Sequence, residues 1–267
     1  MKHICAAMLA IFVGQQGVAD SMRLAVTTSF DNSGLSDVLL PAIQEDLGLK
    51  VQLLVVGTGQ ALRLGAGGDV DAVLVHSRAA EDAFIAAGHG THRRNIMYND
   101  FVVIGPQDDP AGLDDAKSAA DAFQRIANAK PPFVSRGDDS GTHKAELRIW
   151  VDAGLDPEAF GSWYRAVGAG MGAALNTVSA MQAYVMSDRA SWLNFGNKDG
   201  LALLYSGDPA LFNQYAYLPV NPDKNGAIQH AEAIALEAWL TGPRAKALIN
   251  GYTIGGETLF VFNALPE

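Results

Sequence analysis

Apolar runs of strand length alternate with stretches of helical periodicity, and this alternation constrains the fold more than any other feature of the chain. Residues 23–27 and 71–75 have the composition of strands, and 50–56 is a nearly unbroken apolar run, typical of a strand that is buried on both faces. Apolar residues recur at helical spacing over 35–47, and Gly48 follows as a stop. Strand, helix and strand in this order predict a parallel sheet with right-handed crossovers.

The same kinds of element continue to the C-terminus. A strand over 98–105 leads into a stretch rich in Pro and Asp, 106–115, which we interpret as the start of a second module. Pro41 inside the 35–47 helix predicts a kink or a later helix start. The other predicted elements are a strand over 132–135, a helix over 143–153, a helix of about fifteen residues after Gly172, strands over 201–205 and 215–220, and two helices within 228–250 separated at Gly242-Pro243.

The N-terminal segment has the features of a secretion signal rather than of a folded element. Lys2 and His3 precede the apolar run 4–13, and small residues at 17–19 fit signal-peptidase cleavage after Ala19. The run is too short to span a bilayer, and no second one follows, so we expect no stable membrane insertion after cleavage. The predicted compartment is the periplasm.

Charge and cysteine content exclude several functions. The formal net charge is −10, so the field of the protein repels nucleic acid and anionic membranes. The one cysteine, Cys5, lies inside the signal, which leaves the mature chain without disulfides or thiol chemistry. Any anion site must therefore be a local arrangement of hydrogen-bond donors.

Hydroxyl and glycine residues follow predicted strands or begin predicted helices at four places. Carboxyl ends of parallel strands meet at one edge of a sheet, and helix N-termini there present free N–H groups to an anion. The sequence thus predicts a shared anion site. Its candidate residues are Thr27, Thr28, Ser29, Thr58, Arg136, Ser140, Gly141, Thr142, Gly170, Met171 and Gly172.

Arg136 adds a fixed fork of donors suited to an oxyanion. Two residues later, Asp138 could hold the guanidinium by a salt bridge, or accept a proton from a ligand such as hydrogen phosphate. Asp139 is interpreted as a solvated cap residue. Plainer interpretations remain open: Ser140 and Thr142 as ordinary helix caps, and Arg136 as a surface ion pair.

Catalytic and metal-binding interpretations fit the spacing less well. Ser140 and His143 invite a serine hydrolase, but Gly137-Asp-Asp-Ser-Gly141 misses the G-x-S-x-G elbow by one residue, and a triad needs its base on a separate element. His89 and His92 form an H-x-x-H without further ligands nearby in the sequence. We therefore expect a binding protein without a cofactor or a metal site, and not an enzyme.

Several segments resemble the tungstate-binding periplasmic proteins of ABC importers over essentially the whole mature chain. They are "AVTTSFDNSGL", "VVGTGQALRLGAGGDVDAVLVH", "HRRNIMYNDFVVIGPQDDPAG", "FVSRGDDSGTHKAEL" and "GAGMGAAL". The resemblance implies an α/β, two-lobed type II periplasmic binding fold of mainly parallel sheets flanked by helices, with the ligand between the lobes. One lobe would be 20–99 plus 219–267 and the other 100–218, joined by crossover strands near 98–105 and 214–222.

The resemblance also implies roles for particular residues. Thr27, Thr28, Ser29 and Arg136 would contact the oxyanion, while Val26 stands where the family often has threonine and would point into the core. The expected ligand is tungstate or molybdate, which at neutral pH can only accept hydrogen bonds. A monomer would deliver it to an ABC permease and its ATPase. The alternatives are a phosphate- or sulfate-binding receptor of the same fold and a secreted serine hydrolase using Ser140.

Overall fold

Strands and helices alternate throughout the computed structural model, which describes residues 21–138 and 140–264. The predicted cleavage after Ala19, the cysteine at position 5 and the cap interpretation of Asp139 lie outside these residues. The strands are β1 Ser21–Thr27, β2 Lys50–Val56, β3 Ala72–Val75, β4 Arg94–Pro106, β5 Phe133–Ser135, β6 Tyr164–Ala166, β7 Val185–Asp188, β8 Leu201–Tyr205, β9 Phe212–Pro219, β10 Thr253–Ile254, β11 Glu257–Thr258 and β12 Val261–Phe262. The helices are α1 Thr28–Asn32, α2 Leu35–Leu47, α3 Thr58–Gly67, α4 Arg78–Ala86, α5 Ala119–Ala129, α6 Gly141–Asp152, α7 Met171–Met181, α8 Arg189–Asn194, α9 His230–Leu240 and α10 Pro243–Gly251.

The first three strands form the parallel sheet that the sequence predicts. β1 lies between β2 and β3, with Ser21 opposite Lys50 and Leu24 opposite Ala72. The sheet continues through β9, β4 and β12, which pair antiparallel. Because β1, β2 and β3 run in the same direction, their carboxyl ends lie at one edge, where Thr27 ends β1, and Gly57 and His76 directly follow β2 and β3.

The prediction that 50–56 is buried on both faces is wrong. β2 is the last strand of the sheet and pairs only with β1. None of its residues is fully buried, and Val55 is 38% exposed. An apolar run indicates a strand, but the order of strands, which long-range contacts set, decides how far each is covered.

Local differences from the predicted elements are small. Residues 28–32 form the one-turn helix α1, which was not among the predicted elements; the Thr27 side chain accepts a hydrogen bond from the Phe30 amide and caps it. α2 runs without interruption from Leu35 through Pro41, so the later start is wrong. α7 has 11 residues rather than about fifteen, and it ends where Gln182 adopts a left-handed conformation.

One long strand belongs to both halves of the molecule. Residues 94–100 of β4 pair with β9, whereas residues 101–106 pair with β7 and β8. The second half is completed by the parallel pair of β5 and β6, and Phe133 bridges to Tyr184 beside β7. β4 therefore carries the backbone directly from one half to the other.

Four apolar clusters form the core, two in each half. In the first half, α2, α9 and α10 cover one face of the sheet, and α3 and α4 cover the other. In the second half, α5 and α6 pack in one cluster around Trp150, and α7 packs in the other around Val178. Among the described residues, no helix is long and apolar enough to cross a membrane. The α/β, two-lobed fold is as predicted, but the sheets are mixed rather than mainly parallel, because β4 and β9 pair antiparallel with their neighbours. The lobe boundaries stay a prediction.

Candidate functional site

The predicted site residues lie around two adjoining cavities between the two halves. The smaller one, of about 20 Å³, is lined by Thr27, Thr28, Ser29, Gly57, Thr58, His76, Arg136, Ser140, Gly141 and Thr142. The larger cleft, of about 610 Å³, shares Ser29, Arg136 and Ser140 with the small cavity and also touches Gly170, Met171 and Gly172. The structure thus brings together every residue that the sequence selected.

Helix starts position these residues. Gly57 precedes α3 as its N-cap, Ser140 caps α6, and Gly170 precedes α7. These three helices have 10, 12 and 11 residues, and each begins at a cavity wall. Their unpaired N–H groups and the positive ends of their dipoles give the cavities a positive potential in a protein of negative net charge.

Three buried polar atoms in the wall of the small cavity have no hydrogen-bond partner among the described residues. They are Thr58 Oγ1, His76 Nδ1 and Arg136 Nε. Thr58 is 1% exposed, and the Arg136 side chain is 11% exposed, so bulk water hardly reaches either. Buried polar atoms in native proteins are almost always paired, so three of them around one small space indicate a site for a polar guest.

Asp138 holds the arginine in place, which is the first of its two predicted roles. Its Oδ2 accepts from Arg136 Nη2 at 2.5 Å, while its Oδ1 accepts from the Ser140 hydroxyl at 2.5 Å and from the Ser140 amide at 3.3 Å. Burial opposes ionisation, but these hydrogen bonds and the guanidinium charge together lower the pKa of Asp138. Both carboxylate oxygens are therefore engaged by the protein itself.

The hydroxyl of Ser140 also forms its hydrogen bonds within the protein. Its Oγ donates to Asp138 and accepts from the His143 amide at 3.1 Å, as a helix cap does. The His143 imidazole forms its hydrogen bond with Ser135 Oγ instead, at 3.1 Å from Nδ1. The serine, base and carboxylate order of a hydrolase is thus not assembled around Ser140.

Ser29 is the centre of a hydroxyl cluster on the other side of the small cavity. Its Oγ lies 3.0 Å from Thr27 Oγ1, 3.0 Å from His76 Nε2 and 3.1 Å from the Tyr215 hydroxyl. Neither His76 nor Tyr215 was among the predicted site residues. His76 directly follows β3, at the same sheet edge as Thr27 and Gly57, but the rule that selected those segments covered only hydroxyl and glycine residues and therefore passed over it.

Burial sets the charge states of these groups. It lowers the pKa of His76 to about 4; the Arg136 guanidinium acts in the same direction, and the backbone of His76 and the Asn213 side chain oppose it. Burial raises the pKa of Tyr215 and that of Asp188, whose carboxylate faces the larger cleft and caps α8 by accepting from the Ser191 amide at 2.8 Å. At neutral pH, the small cavity is therefore walled by a neutral imidazole, neutral hydroxyls and one guanidinium.

The remaining predicted residues have clear positions. Val26 is fully buried in the core beside β1, which confirms that this strand residue points away from the site. Met171 is buried in the apolar cluster of α7, so only its backbone is suited to a polar role. Gly170 and Gly172 line the larger cleft but not the small cavity. Over residues 21–138 and 140–264, no group of three or more His, Cys, Asp or Glu side chains could hold a metal ion.

Comparison with known proteins gives consistent results. The model of the PBP superfamily domain matches residues 14–244. The tungstate-binding protein TupA of Peptoclostridium acidaminophilum is 45% identical over 234 residues, covering 87% of this chain and 81% of the relative. A putative ABC transporter anion-binding protein of Haloferax volcanii is 44% identical, covering 94% and 74%. The solved structure of the tungstate-binding protein TupA from Desulfovibrio alaskensis G20 superposes with a TM-score of 0.86 at 39% identity, covering 92% of this chain and all of that one.

Proposed function

The chain belongs to the PBP superfamily, among the tungstate-binding proteins of ABC transporters, and from this we propose that it captures tungstate in the cleft between its lobes. We place the oxyanion in the small cavity and its mouth, in contact with Thr27, Thr28, Ser29, Thr58, Arg136, Ser140, Gly141 and Thr142. Gly170, Met171 and Gly172 would close the site from the other wall of the larger cleft.

The observation that carries the proposal is the set of unpaired buried groups around the small cavity. Arg136 Nε is a donor without a partner among the described residues, and Thr58 Oγ1 can donate as well. A tetrahedral dianion offers acceptors in every direction, so it can satisfy these groups at once. Hydrogen bonds to charged groups contribute roughly 1.5–3 kcal/mol each, and six to eight of them, less desolvation and closure, support nanomolar binding.

Asp138 favours tungstate or molybdate over hydrogen phosphate. A phosphate-binding site needs an acceptor for the proton that hydrogen phosphate carries, and both oxygens of Asp138 already accept from Arg136 and Ser140. The engaged carboxylate therefore supports a ligand without protons. Molybdate has nearly the same size as tungstate and belongs to the same proposal.

The wider role follows from the family. We propose that the mature protein works in the periplasm as a monomer, without cofactor or catalysis, and hands the oxyanion to an ABC permease and its ATPase. The lobes would be residues 20–99 plus 219–267 and residues 100–218. The two apolar clusters of the second half lie within 100–218, whereas Tyr215, Tyr217 and Leu218 of β9 pack in the clusters of the first half. The oxyanion is cargo, held without change to its bonds.

Isothermal titration of the chain from Asp20 onward against four oxyanions tests the proposal. We expect tight binding of tungstate and molybdate and much weaker binding of sulfate and hydrogen phosphate. Tight binding of hydrogen phosphate together with no binding of tungstate would contradict it. A crystal soaked in tungstate locates the ion directly, and density outside the small cavity and its mouth would contradict the site.

A further inference from the structure

His76 is a polar residue of the small cavity whose role the proposed contacts do not yet include. It follows β3 directly, its Nε2 lies 3.0 Å from Ser29 Oγ, and its Nδ1 is buried without a partner. Asn213 and the backbone of His76 lie near enough to affect its pKa, but neither forms a hydrogen bond with Nδ1. Two other histidines, His89 and His230, also have an unpaired Nδ1, but only His76 lines the cavity.

One set of hydrogen bonds in the hydroxyl cluster places the proton of His76 on Nδ1. Thr27 Oγ1 accepts from the Phe30 amide, which leaves its own proton for Ser29. The Tyr215 hydroxyl is 3.1 Å from Ser29 and stays protonated, so it can donate to Ser29 as well. A hydroxyl accepts two hydrogen bonds and donates one. Ser29 then has its single proton left for Nε2 of His76, and the neutral ring carries its own proton on Nδ1.

A bound dianion selects the same arrangement. An unprotonated Nδ1 would present a lone pair to the oxyanion, and the two would repel each other. An Nδ1–H group would donate to the oxyanion without adding a buried charge that needs a partner. The neutral state of the ring at neutral pH, which burial imposes, is compatible with this role.

We propose that His76 donates a hydrogen bond from Nδ1 to the bound oxyanion, that Ser29 fixes this tautomer, and that the pair discriminates against oxyanions that carry a proton. This inference rests on the proposed function and adds a residue to its site. A protonated Nδ1 presents a donor where an unprotonated nitrogen would present a lone pair, so it removes one acceptor for a ligand hydroxyl from the cavity wall. Hydrogen phosphate, which carries an O–H, would find one acceptor fewer, whereas tungstate needs only donors.

A matched pair of variants tests the roles of Nδ1 and Nε2 separately. In His76→Asn, the side-chain amide nitrogen can occupy the position of Nδ1, whereas in His76→Gln, the longer side chain reaches toward Ser29 as Nε2 does. We expect His76→Asn to keep tungstate affinity within about tenfold and His76→Gln to lose about tenfold to a hundredfold, as removal of one bond to a charged group does. His89→Asn is the control and should bind like the wild type. Equal losses in both His76 variants, or none in His76→Gln, would overturn the inference.

Nitrogen-15 NMR of the imidazole groups reports which ring nitrogen carries the proton, and a change in packing alone would not alter this assignment. Protonated and unprotonated ring nitrogens have well-separated shifts, and His76→Asn assigns the signal. We expect Nδ1 of His76 to be protonated in the tungstate complex. A wild type that binds tungstate with the proton on Nε2 would overturn this inference alone, whereas a wild type that binds no tungstate would refute the proposed function.

Discussion

The imidazole of His76 and the backbone of Gly141 are in contact across the cleft, His76 following β3 in one lobe and Gly141 beginning α6 in the other. A Cβ on Gly141 would overlap the ring carbon between the two nitrogens and would lie 2.7 Å from Nδ1. The absence of a side chain at residue 141 therefore gives the imidazole its space and lets the two lobes meet.

We expect Gly141→Ala to weaken tungstate binding by at least about tenfold, or about 1.4 kcal/mol, because the ring must leave Ser29 or the lobes must stay apart. Gly251→Ala, at the end of α10, has no heavy atom within 4 Å of its new Cβ and serves as the control. Titration calorimetry measures both variants. Wild-type affinity in Gly141→Ala would mean that this contact is not part of the bound state.

Arg136→Glu should abolish oxyanion binding while leaving the fold intact, since it replaces the one guanidinium of the small cavity by a repelling carboxylate. In the wild type, the guanidinium of Arg136 pairs with Asp138 through Nη2 while its Nε stays available. Arg136→Lys keeps the charge but loses this fork of donors. We expect it to bind about tenfold or more weakly. Circular dichroism checks the fold, and retained affinity in Arg136→Glu would remove the arginine from the site.

Thr58→Val should separate affinity from stability. The substitution keeps the shape of a residue that is 1% exposed and removes a hydroxyl that has no partner among the described residues. The free energy of unfolding of the ligand-free protein should stay unchanged or rise by up to about 1 kcal/mol, whereas tungstate affinity should fall about tenfold or more. Urea unfolding and calorimetry measure the two quantities. A loss of stability without a loss of affinity would mean that the hydroxyl serves the fold.

Glu146, buried in α6, should make stability depend on pH. Burial raises its pKa from 4.5 to about 7, although hydrogen bonds from Tyr164 and Trp150 oppose the change. The folded state therefore keeps a proton that the unfolded chain has released, and the contribution of Glu146 to stability is lost as the pH rises through about 7. In Glu146→Gln, we expect the difference in unfolding free energy between pH 5 and pH 8 to shrink by up to about 2 kcal/mol. An unchanged pH profile would mean that the carboxyl ionises normally.

Ser140→Ala tests the hydrolase alternative. The wild type and the variant should both fail to turn over a chromogenic ester, while the variant loses about 1 kcal/mol of stability with its helix cap. Its affinity should also fall, because Asp138 loses a donor and holds Arg136 less firmly. Ester turnover in the wild type that disappears in the variant would favour catalysis.

The segments that the sequence selected lie together in the structure, and one local rule covers them: small polar residues at strand ends and helix starts. Thr58 and Arg136 could be found this way, since the strands before them are recognisable from a few neighbouring residues. The salt bridge of Asp138 with Arg136 was one of two options in the sequence, because side-chain geometry decides between them, and the hydrogen bond from Ser140 was not predicted. His76 was missed because a single histidine after a four-residue strand has no pattern of its own.

Strand order was the harder part of the fold. The exposure of β2 depends on its position at the sheet edge, which pairing between distant segments determines. The short strand β7 and helix α8 were not predicted, because four to six residues are too few for a periodic pattern. Asp188, at the junction of these two elements, was missed for the same reason.

The sharing of β4 limits how this protein can be divided. Its thirteen residues supply an inner strand to the sheet of each lobe, and the ion pair of Asp100 with Arg189, 2.6 Å long, spans the point where one sheet passes into the other. A gene fragment that ended between these sheets would leave one lobe with an unpaired edge and exposed amides. Neither lobe is therefore a module that could be transplanted or expressed by itself, and a two-fragment reconstitution would have to duplicate this strand.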